Sequence, residues 1–217
     1  MPLTEARLLP PVNPGKIVVI GRNYGGRAEA PGNLLIHLKP PTSVIGPNDP
    51  IVLPTLSDDV RYEGELAVVI GRTCRSVETA NAADHVLGHT CANDVTAWDI
   101  GTDGGQWTKA KGMDTFCPLG PWISTDLDPT AAGITTRVNG EVRQKGSTAH
   151  LTRGTATLVA EVSRLMTLLP GDVLLTGTPA GSGALAAGDS VAIDIDGIGT
   201  LHNPVVAATG PRTQGCP

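Results

Sequence analysis

The chain has 217 residues, which is long enough for one domain with a substantial hydrophobic core. Its 16 basic and 21 acidic residues give a formal net charge of −5, so the composition argues against a nucleic-acid partner. A hydrophobic fraction of 40% with 17% charged residues excludes an intrinsically disordered chain, so the 27 glycines and 18 prolines indicate a heavily looped fold.

The sequence predicts a cytoplasmic protein without a membrane segment. No apolar run approaches the roughly 18 residues that a spanning helix needs. The first residues lack the basic and apolar regions of a signal peptide. The four cysteines form no CxxC pair, so we expect reduced thiols.

Short apolar runs bounded by Gly, Pro and Asn predict many short strands along the chain. We expect residues 1–15 to form an N-terminal extension, 16–206 the main domain and 207–217 a flexible tail, with the loop-rich stretch 22–50 as a candidate lid. Two helices are predicted, over 76–86 and 155–169. The predicted strands are 16–21, 51–54, 62–71, 89–93, 134–138, 141–144, 172–175 and 191–195, with an Asn139-Gly140 hairpin turn.

The order of these elements predicts the fold class. Strands do not alternate regularly with helices, which argues against a doubly wound parallel sheet. We therefore expect an α+β, β-dominated fold with a few short helices.

Three acidic residues are the best candidates for a metal site. Glu63 and Glu65 lie two residues apart on a predicted strand, so their side chains point to the same face. Asp94 follows another predicted strand. Carboxylates suit Mg²⁺, Mn²⁺ or Ca²⁺. Spacing alone equally allows a solvated strand face for the glutamates and a turn or cap role for Asp94.

Two further segments could carry chemistry. Lys111 beside a carboxylate-bound metal could stabilise an enolate or oxyanion, although an isolated lysine is more often a surface residue. The Gly-rich segment 176–181 could present backbone amides to an anion such as a substrate carboxylate, or form an ordinary tight turn.

Taken together, these segments resemble the fumarylacetoacetate hydrolase superfamily, with order and spacing maintained over roughly residues 16–206. The matching motifs are Tyr62-Glu63-Gly64-Glu65-Leu66, Gly88-His89-Thr90, Asn93-Asp94-Val95-Thr96-Ala97, Lys111-Gly112-Met113-Asp114-Thr115-Phe116, Val138-Asn139-Gly140-Glu141, Leu169-Pro170-Gly171-Asp172-Val173 and Thr176-Gly177-Thr178-Pro179.

The resemblance implies a mixed β-roll of stacked sheets, assembled as a homodimer, with a small 2-oxo or 1,3-dicarbonyl acid as substrate. It implies a Mg²⁺ or Mn²⁺ site formed by the three acidic residues, with Lys111 as a catalytic residue. Thr178 would hold the substrate carboxylate. The expected metal ligands are Glu63, Glu65 and Asp94, and the expected substrate contacts are Tyr24, Trp98, Gly177 and Thr178.

The sequence departs from the family pattern near that site. Family hydrolases carry a lid His and a Glu that activate water, whereas the aligned positions here are Arg27 and Ala30, with Glu29 one place early. An Arg and a Gln that face the oxyanion are replaced by Trp98 and Gly101. We expect Arg27 to supply positive charge and Glu29 to act as base.

These departures leave the reaction type open. Acylpyruvate-type hydrolysis of a C–C bond is slightly favoured over a metal-assisted isomerase or tautomerase, or a 2-oxo acid decarboxylase, that works without the His–Glu pair. A third hypothesis is a family member that binds a ligand and does not catalyse.

Overall fold

The computed structural model of the protein describes residues 7–25 and 34–209. Most of its regular structure is strand. The strands are β1 (Ile17–Gly21), β2 (Leu35–Lys39), β3 (Val44–Ile45), β4 (Ile51–Leu53), β5 (Val60–Tyr62), β6 (Gly64–Ile70), β7 (Val86–Asn93), β8 (Thr96–Ala97), β9 (Cys117–Ser124), β10 (Gly133–Val138), β11 (Glu141–Ser147), β12 (Val173–Leu175), β13 (Gly183–Ala184), β14 (Ser190–Ile195) and β15 (Gly199–Ala207). The α-helices are α1 (Trp98–Thr102), α2 (Trp107–Lys111) and α3 (Thr155–Leu165).

A mixed sheet of seven strands holds the centre of the domain, in the order β2-β1-β12-β6-β7-β9-β3. Its inner strands β6 and β12 are fully buried, as expected for continuous runs of Val, Leu and Ile. β1 pairs with β12 in parallel, whereas β6 pairs with β7 antiparallel, with Gly64 opposite Asn93. This register brings the start of β6 next to the end of β7.

The second sheet has five strands in the order β11-β10-β14-β15-β4. The predicted hairpin between β10 and β11 is confirmed, because Asn139 and Gly140 have φ of 54° and 82°. Positive φ at both central residues is the requirement of a type I′ turn. A smaller sheet of three strands, β13-β5-β8, flanks the site described below.

Two packing interfaces join these layers. On α3, Leu158, Val159 and Val162 pack against Val18 and Val68 of the seven-stranded sheet. A second cluster connects the two larger sheets through buried apolar side chains that include Leu66, Phe116, Ile134, Ile193 and Leu201. The predicted β-rich fold with few short helices is confirmed.

The helix predictions were right only in part. The helix from Thr155 ends at Leu165 rather than at residue 169, because the backbone of Leu168 pairs with Cys74 instead. The segment predicted as a helix from Ser76 is a 3-10 helix over Thr79–His85, and Ser76 itself has a left-handed φ of 52°. The helices α1 and α2 were not predicted, because each is only five residues long.

Three cysteines are buried and free of disulfides: Cys74, Cys91 and Cys117. Within the described residues, no helix combines the length and the apolar character needed to cross a membrane.

His89 on β7 should make the stability of the fold depend on pH. Its side chain is buried, its Nε2 atom has no partner among the described residues, and burial lowers its pKa from 6.5 to about 4. Between those values only the unfolded state binds the proton, so the free energy of unfolding falls as the pH falls from 6.5 to 4, by about 3 kcal/mol in total.

A comparison of urea denaturation at pH 7 and pH 4 tests this expectation. A His89→Phe variant should lose that part of the acid sensitivity, whereas His150→Gln, at an exposed histidine, should keep the wild-type pH dependence. An unchanged dependence in His89→Phe would show that this imidazole is not the sensitive group.

Candidate metal centre

The three predicted acidic residues meet where β6 begins and β7 ends. Glu63 lies between β5 and β6, and Asp94 directly follows β7. Backbone bonds fix the pair, because Asp94 N donates to Glu63 O at 2.9 Å and Glu63 N donates to the Asn93 side chain at 3.0 Å. Glu65 follows two residues later on β6, as the strand alternation predicts.

The geometry of this group fits a divalent cation. Glu63, Glu65 and Asp94 each offer one carboxylate oxygen, and the three oxygens lie within 4.8 Å of one another. All three residues are buried, with relative exposures of 8%, 1% and 0%. A set of three converging oxygen ligands suits Mg²⁺ or Mn²⁺.

Lys111, at the end of α2, contacts these carboxylates directly. Its Nζ donates to Glu63 Oε2 at 3.1 Å and to Thr96 Oγ1 at 2.8 Å, and it also binds Asp94 Oδ2. The side chain is 7% exposed. Burial alone would lower the pKa of Lys111, but Asp94 and Glu63 raise it above its usual value, so the group is an ammonium ion.

A second buried lysine was missed by the sequence reasoning. Lys39 ends β2, and its Nζ donates to the backbone oxygens of Val95, Lys111 and Phe116 at 2.9, 2.8 and 2.7 Å. It also forms an ion pair with Asp94 Oδ1 at 2.8 Å. A lysine at the end of an otherwise mostly apolar strand was the signal that could have identified it.

The two lysines give Asp94 a pKa shift opposite in direction to those of the two glutamates. Burial would raise the pKa of Asp94, but the ammonium groups of Lys111 and Lys39 lower it to about 2. Burial raises the pKa of Glu63 to about 7, against the opposing effect of Lys111. Burial and the charge of Asp94 raise the pKa of Glu65 well above its usual range. Two closely spaced glutamates with raised pKa values indicate a site short of positive charge.

The predicted anion-binding segment touches this centre through Gly177 and Thr178. Gly177 N donates to Glu65 Oε2 at 2.6 Å, so this amide is engaged by a protein carboxylate. The hydroxyl of Thr178 donates to Gly64 O and accepts a bond from Gln144 Nε2, both at 2.8 Å. The segment therefore supports the carboxylate cluster, and its contact with a substrate stays a prediction.

Tyr24 lies near Glu65, in the segment that follows β1 and is anchored by its neighbour Asn23. The Asn23 side chain donates to the backbone oxygens of Arg153 and Thr176 at 3.0 and 2.9 Å. The Tyr24 hydroxyl is buried and has no partner among the described residues. Burial and the charge of Glu65 raise its pKa, so the phenol stays protonated. It is a free donor next to the carboxylates.

The two departures Trp98 and Gly101 are explained by a third residue, Trp107. The Trp98 and Trp107 rings meet edge to face at 5.4 Å between centroids. A Cβ atom on Gly101 would lie 2.6 Å from the Trp107 ring, so only glycine leaves room for this indole. Arg61 lies over the other ring, with its guanidinium carbon 4.8 Å from the Trp98 centroid. An aromatic wall of Trp98 and Trp107 thus occupies the region expected to carry polar donors.

The expected lid residues Arg27 and Glu29 lie outside the described residues. The described part of the 22–50 segment contains β2, β3 and a 3-10 helix over Pro41–Ser43, and the ammonium group of Lys39 ties β2 to the site. The role of the segment as a lid stays a prediction.

A family sequence model described as fumarylacetoacetate (FAA) hydrolase C-terminal matches residues 16–206. The fold is similar to that of 5-carboxymethyl-2-hydroxymuconate delta-isomerase from Mycobacterium smegmatis, with 51% identity and a TM-score of 0.93 over 97% of this chain and 86% of the other. The chain is also 43% identical to the mitochondrial oxaloacetate tautomerase fahd2 of Xenopus laevis, over 92% of this chain and 68% of that protein.

A hydrolase is among the similar structures as well. Maleylpyruvate hydrolase from Sphingobium sp. SYK-6, in complex with manganese(II) and pyruvate, is 38% identical with a TM-score of 0.86, over 96% of this chain and 77% of the other. The isomerase and the tautomerase thus share more sequence with this chain than this hydrolase does.

Proposed function

The chain belongs to the fumarylacetoacetate hydrolase family, and we propose that it is a divalent-metal-dependent isomerase that interconverts keto and enol forms of a small 2-oxo or 1,3-dicarbonyl acid. The observation that carries the proposal is the cluster of three buried carboxylates with the Lys111 ammonium in contact. A cation held by such a cluster and the ammonium group of Lys111 would lie close together, and two positive groups at one place would stabilise the negative charge of an enolate.

Glu63, Glu65 and Asp94 would hold the Mg²⁺ or Mn²⁺ ion, and an ion bound there would polarise the oxo group of a 2-oxo acid. Lys111 would offset the negative charge that develops on the oxo oxygen. The hydroxyl of Thr178 would hold the substrate carboxylate by turning its proton away from Gly64 O, while Gln144 continues to donate to the hydroxyl oxygen.

The remaining predicted contacts have supporting roles. The Tyr24 hydroxyl would donate a hydrogen bond to the substrate, and the Trp98 ring would contact one side of the substrate. Gly177 would act through Glu65, whose carboxylate its amide holds. Roles for Arg27 as a positive charge and Glu29 as a base stay predictions, as do the homodimer and the cytoplasmic location.

Isomerisation is now favoured over the C–C hydrolysis that the sequence slightly favoured. Moving a proton between carbon and oxygen needs no activated water, and the sequence lacks the His–Glu pair of family hydrolases. The isomerase and tautomerase named above are more similar to this chain than the hydrolase. Hydrolysis stays the second candidate, because that hydrolase shares the fold over 96% of this chain.

Product analysis with Mn²⁺ or Mg²⁺ present separates these reactions. With oxaloacetate, an isomerase changes the ratio of keto to enol at constant mass, whereas a decarboxylase releases CO₂. With acylpyruvates, a hydrolase gives two acids. We expect faster keto–enol interconversion of oxaloacetate with neither CO₂ release nor acylpyruvate cleavage. Metal binding without any turnover would support the non-catalytic hypothesis instead.

A further inference from the structure

The aromatic wall of Trp98 and Trp107 ends on a histidine of the edge strand β2. The ring centroid of His37 lies 5.7 Å from that of Trp107, at an interplanar angle of 40°. His37 is partly buried and lines a cleft of about 720 Å³ together with Gln106, Trp107 and Lys109. The histidine therefore combines a fixed position with access to small molecules.

Two elements place this ring on the side of the fold from which Lys39 and Lys111 reach the carboxylates. On β2, His37 and Lys39 are two residues apart and share a face, and Lys39 Nζ reaches Asp94. On α2, Trp107 and Lys111 are four residues apart and share a face; Trp107 contacts His37 and Lys111 contacts Glu63 and Asp94. The charges of Lys111 and Asp94 both affect the pKa of His37, as expected when the three groups lie near one another.

Among His37, Lys39, Lys111 and Tyr24, the side chain that can act as a base is that of His37. Neither ring nitrogen has a hydrogen-bond partner that the described residues supply, so a lone pair is available. Burial and the ammonium of Lys111 lower the pKa of His37, against a smaller opposing effect of Asp94, which favours the neutral imidazole. Nearby, Lys39 and Lys111 are ammonium groups in ion pairs and Tyr24 is protonated, so these three accept no proton.

We propose that His37 is the catalytic base that carries the proton between carbon and oxygen in the proposed isomerisation. Its neutral nitrogen takes the proton from the carbon next to the oxo group. The C–H electron pair forms the new carbon–carbon double bond, and the π pair of the oxo group moves onto its oxygen. The imidazolium then returns the proton to that oxygen. No electron or hydrogen is gained or lost, and no further reactant is needed.

The inference rests on the proposed function and is tested on oxaloacetate with Mn²⁺. His37→Phe keeps a ring against Trp107 but removes the base, so kcat for keto–enol interconversion should fall about 10²–10⁴-fold with little change in KM. Thermal stabilisation by Mn²⁺ should equal that of the wild type, because the carboxylates are intact. In His37→Ala, added imidazole should restore part of the lost rate.

The control is His85→Phe. His85 precedes β7 and Asp94 follows β7, so His85 and Asp94 lie at opposite ends of that strand. This variant should keep wild-type kcat. A fully active His37→Phe, or loss of activity in Glu29→Gln alone, would overturn the assignment of His37 while leaving the isomerase standing. A wild-type protein that binds Mn²⁺ and leaves oxaloacetate unchanged would overturn the isomerase and the base together.

Discussion

Replacing Glu65 by glutamine is expected to weaken Mn²⁺ binding at least about 100-fold. Mutating a residue that only hydrogen-bonds to a metal ligand costs up to about 100-fold in metal affinity, and Glu65 is itself an expected ligand. The variant removes one of three converging carboxylates but keeps an oxygen that can accept the 2.6 Å bond from Gly177 N. Because burial and Asp94 raise the pKa of Glu65, its charge opposes folding near neutral pH. The metal-free variant should therefore be no less stable than the wild type.

Thermal unfolding with and without Mn²⁺ measures both effects. At a concentration one hundred times Kd the wild type should gain about 2.7 kcal/mol, which raises Tm by about 5–10 °C for a chain of this size. Glu65→Gln should show almost no shift. Glu141→Gln, at an exposed carboxylate, should respond like the wild type. A wild type without a shift, or an equal shift in Glu65→Gln, would contradict the metal centre.

Replacing Lys39 by methionine is expected to cost about 3–5 kcal/mol of stability, the usual effect of breaking a buried ion pair from one side. Methionine fills a similar volume but removes the bonds that Lys39 Nζ donates to the backbone oxygens of Val95, Lys111 and Phe116, of which Phe116 O keeps a bond from Val95 N. It also leaves Asp94 with one ammonium group instead of two. The loss of hydrogen bonds adds to the loss of charge compensation.

Urea denaturation of the metal-free proteins gives the free energy of unfolding for this comparison. Lys145→Met, at an exposed lysine, should change it by no more than about 0.5 kcal/mol. A loss below about 1 kcal/mol in Lys39→Met would mean that the pocket adapts or that water replaces the ammonium group. The stabilising role of this lysine would then be wrong.

Only the glutamate pair of the acidic cluster was predictable from local geometry. The alternation of a strand places Glu63 and Glu65 on one face, and a carboxylate at a neighbouring strand end is a common partner. What spacing left undecided was whether β6 and β7 are neighbours in the register that brings Glu63 to Asp94. The family resemblance supplied that pairing, and the structure shows it.

The aromatic side of the site was not predictable in the same way. Trp98 and Gly101 could be read only as lost donors, because Trp107 is six residues further along and its position depends on two five-residue helices. Helices this short have little stability of their own, so packing decides whether they form. The closeness of His37 to Trp107 joins segments about 70 residues apart.

The sequence by itself determined the β-rich class, eight of the fifteen strands and the hairpin at Asn139-Gly140, and the family resemblance added the three acidic residues as one site. The class, the strands and the hairpin follow from periodicity and turn chemistry, which act over a few residues. Only the tertiary structure decided that Lys39 and Lys111 neutralise Asp94 while the glutamates keep raised pKa values, and that the wall of rings ends on His37. Burial and the mutual distances of charges set those properties, and both arise only when distant segments pack together.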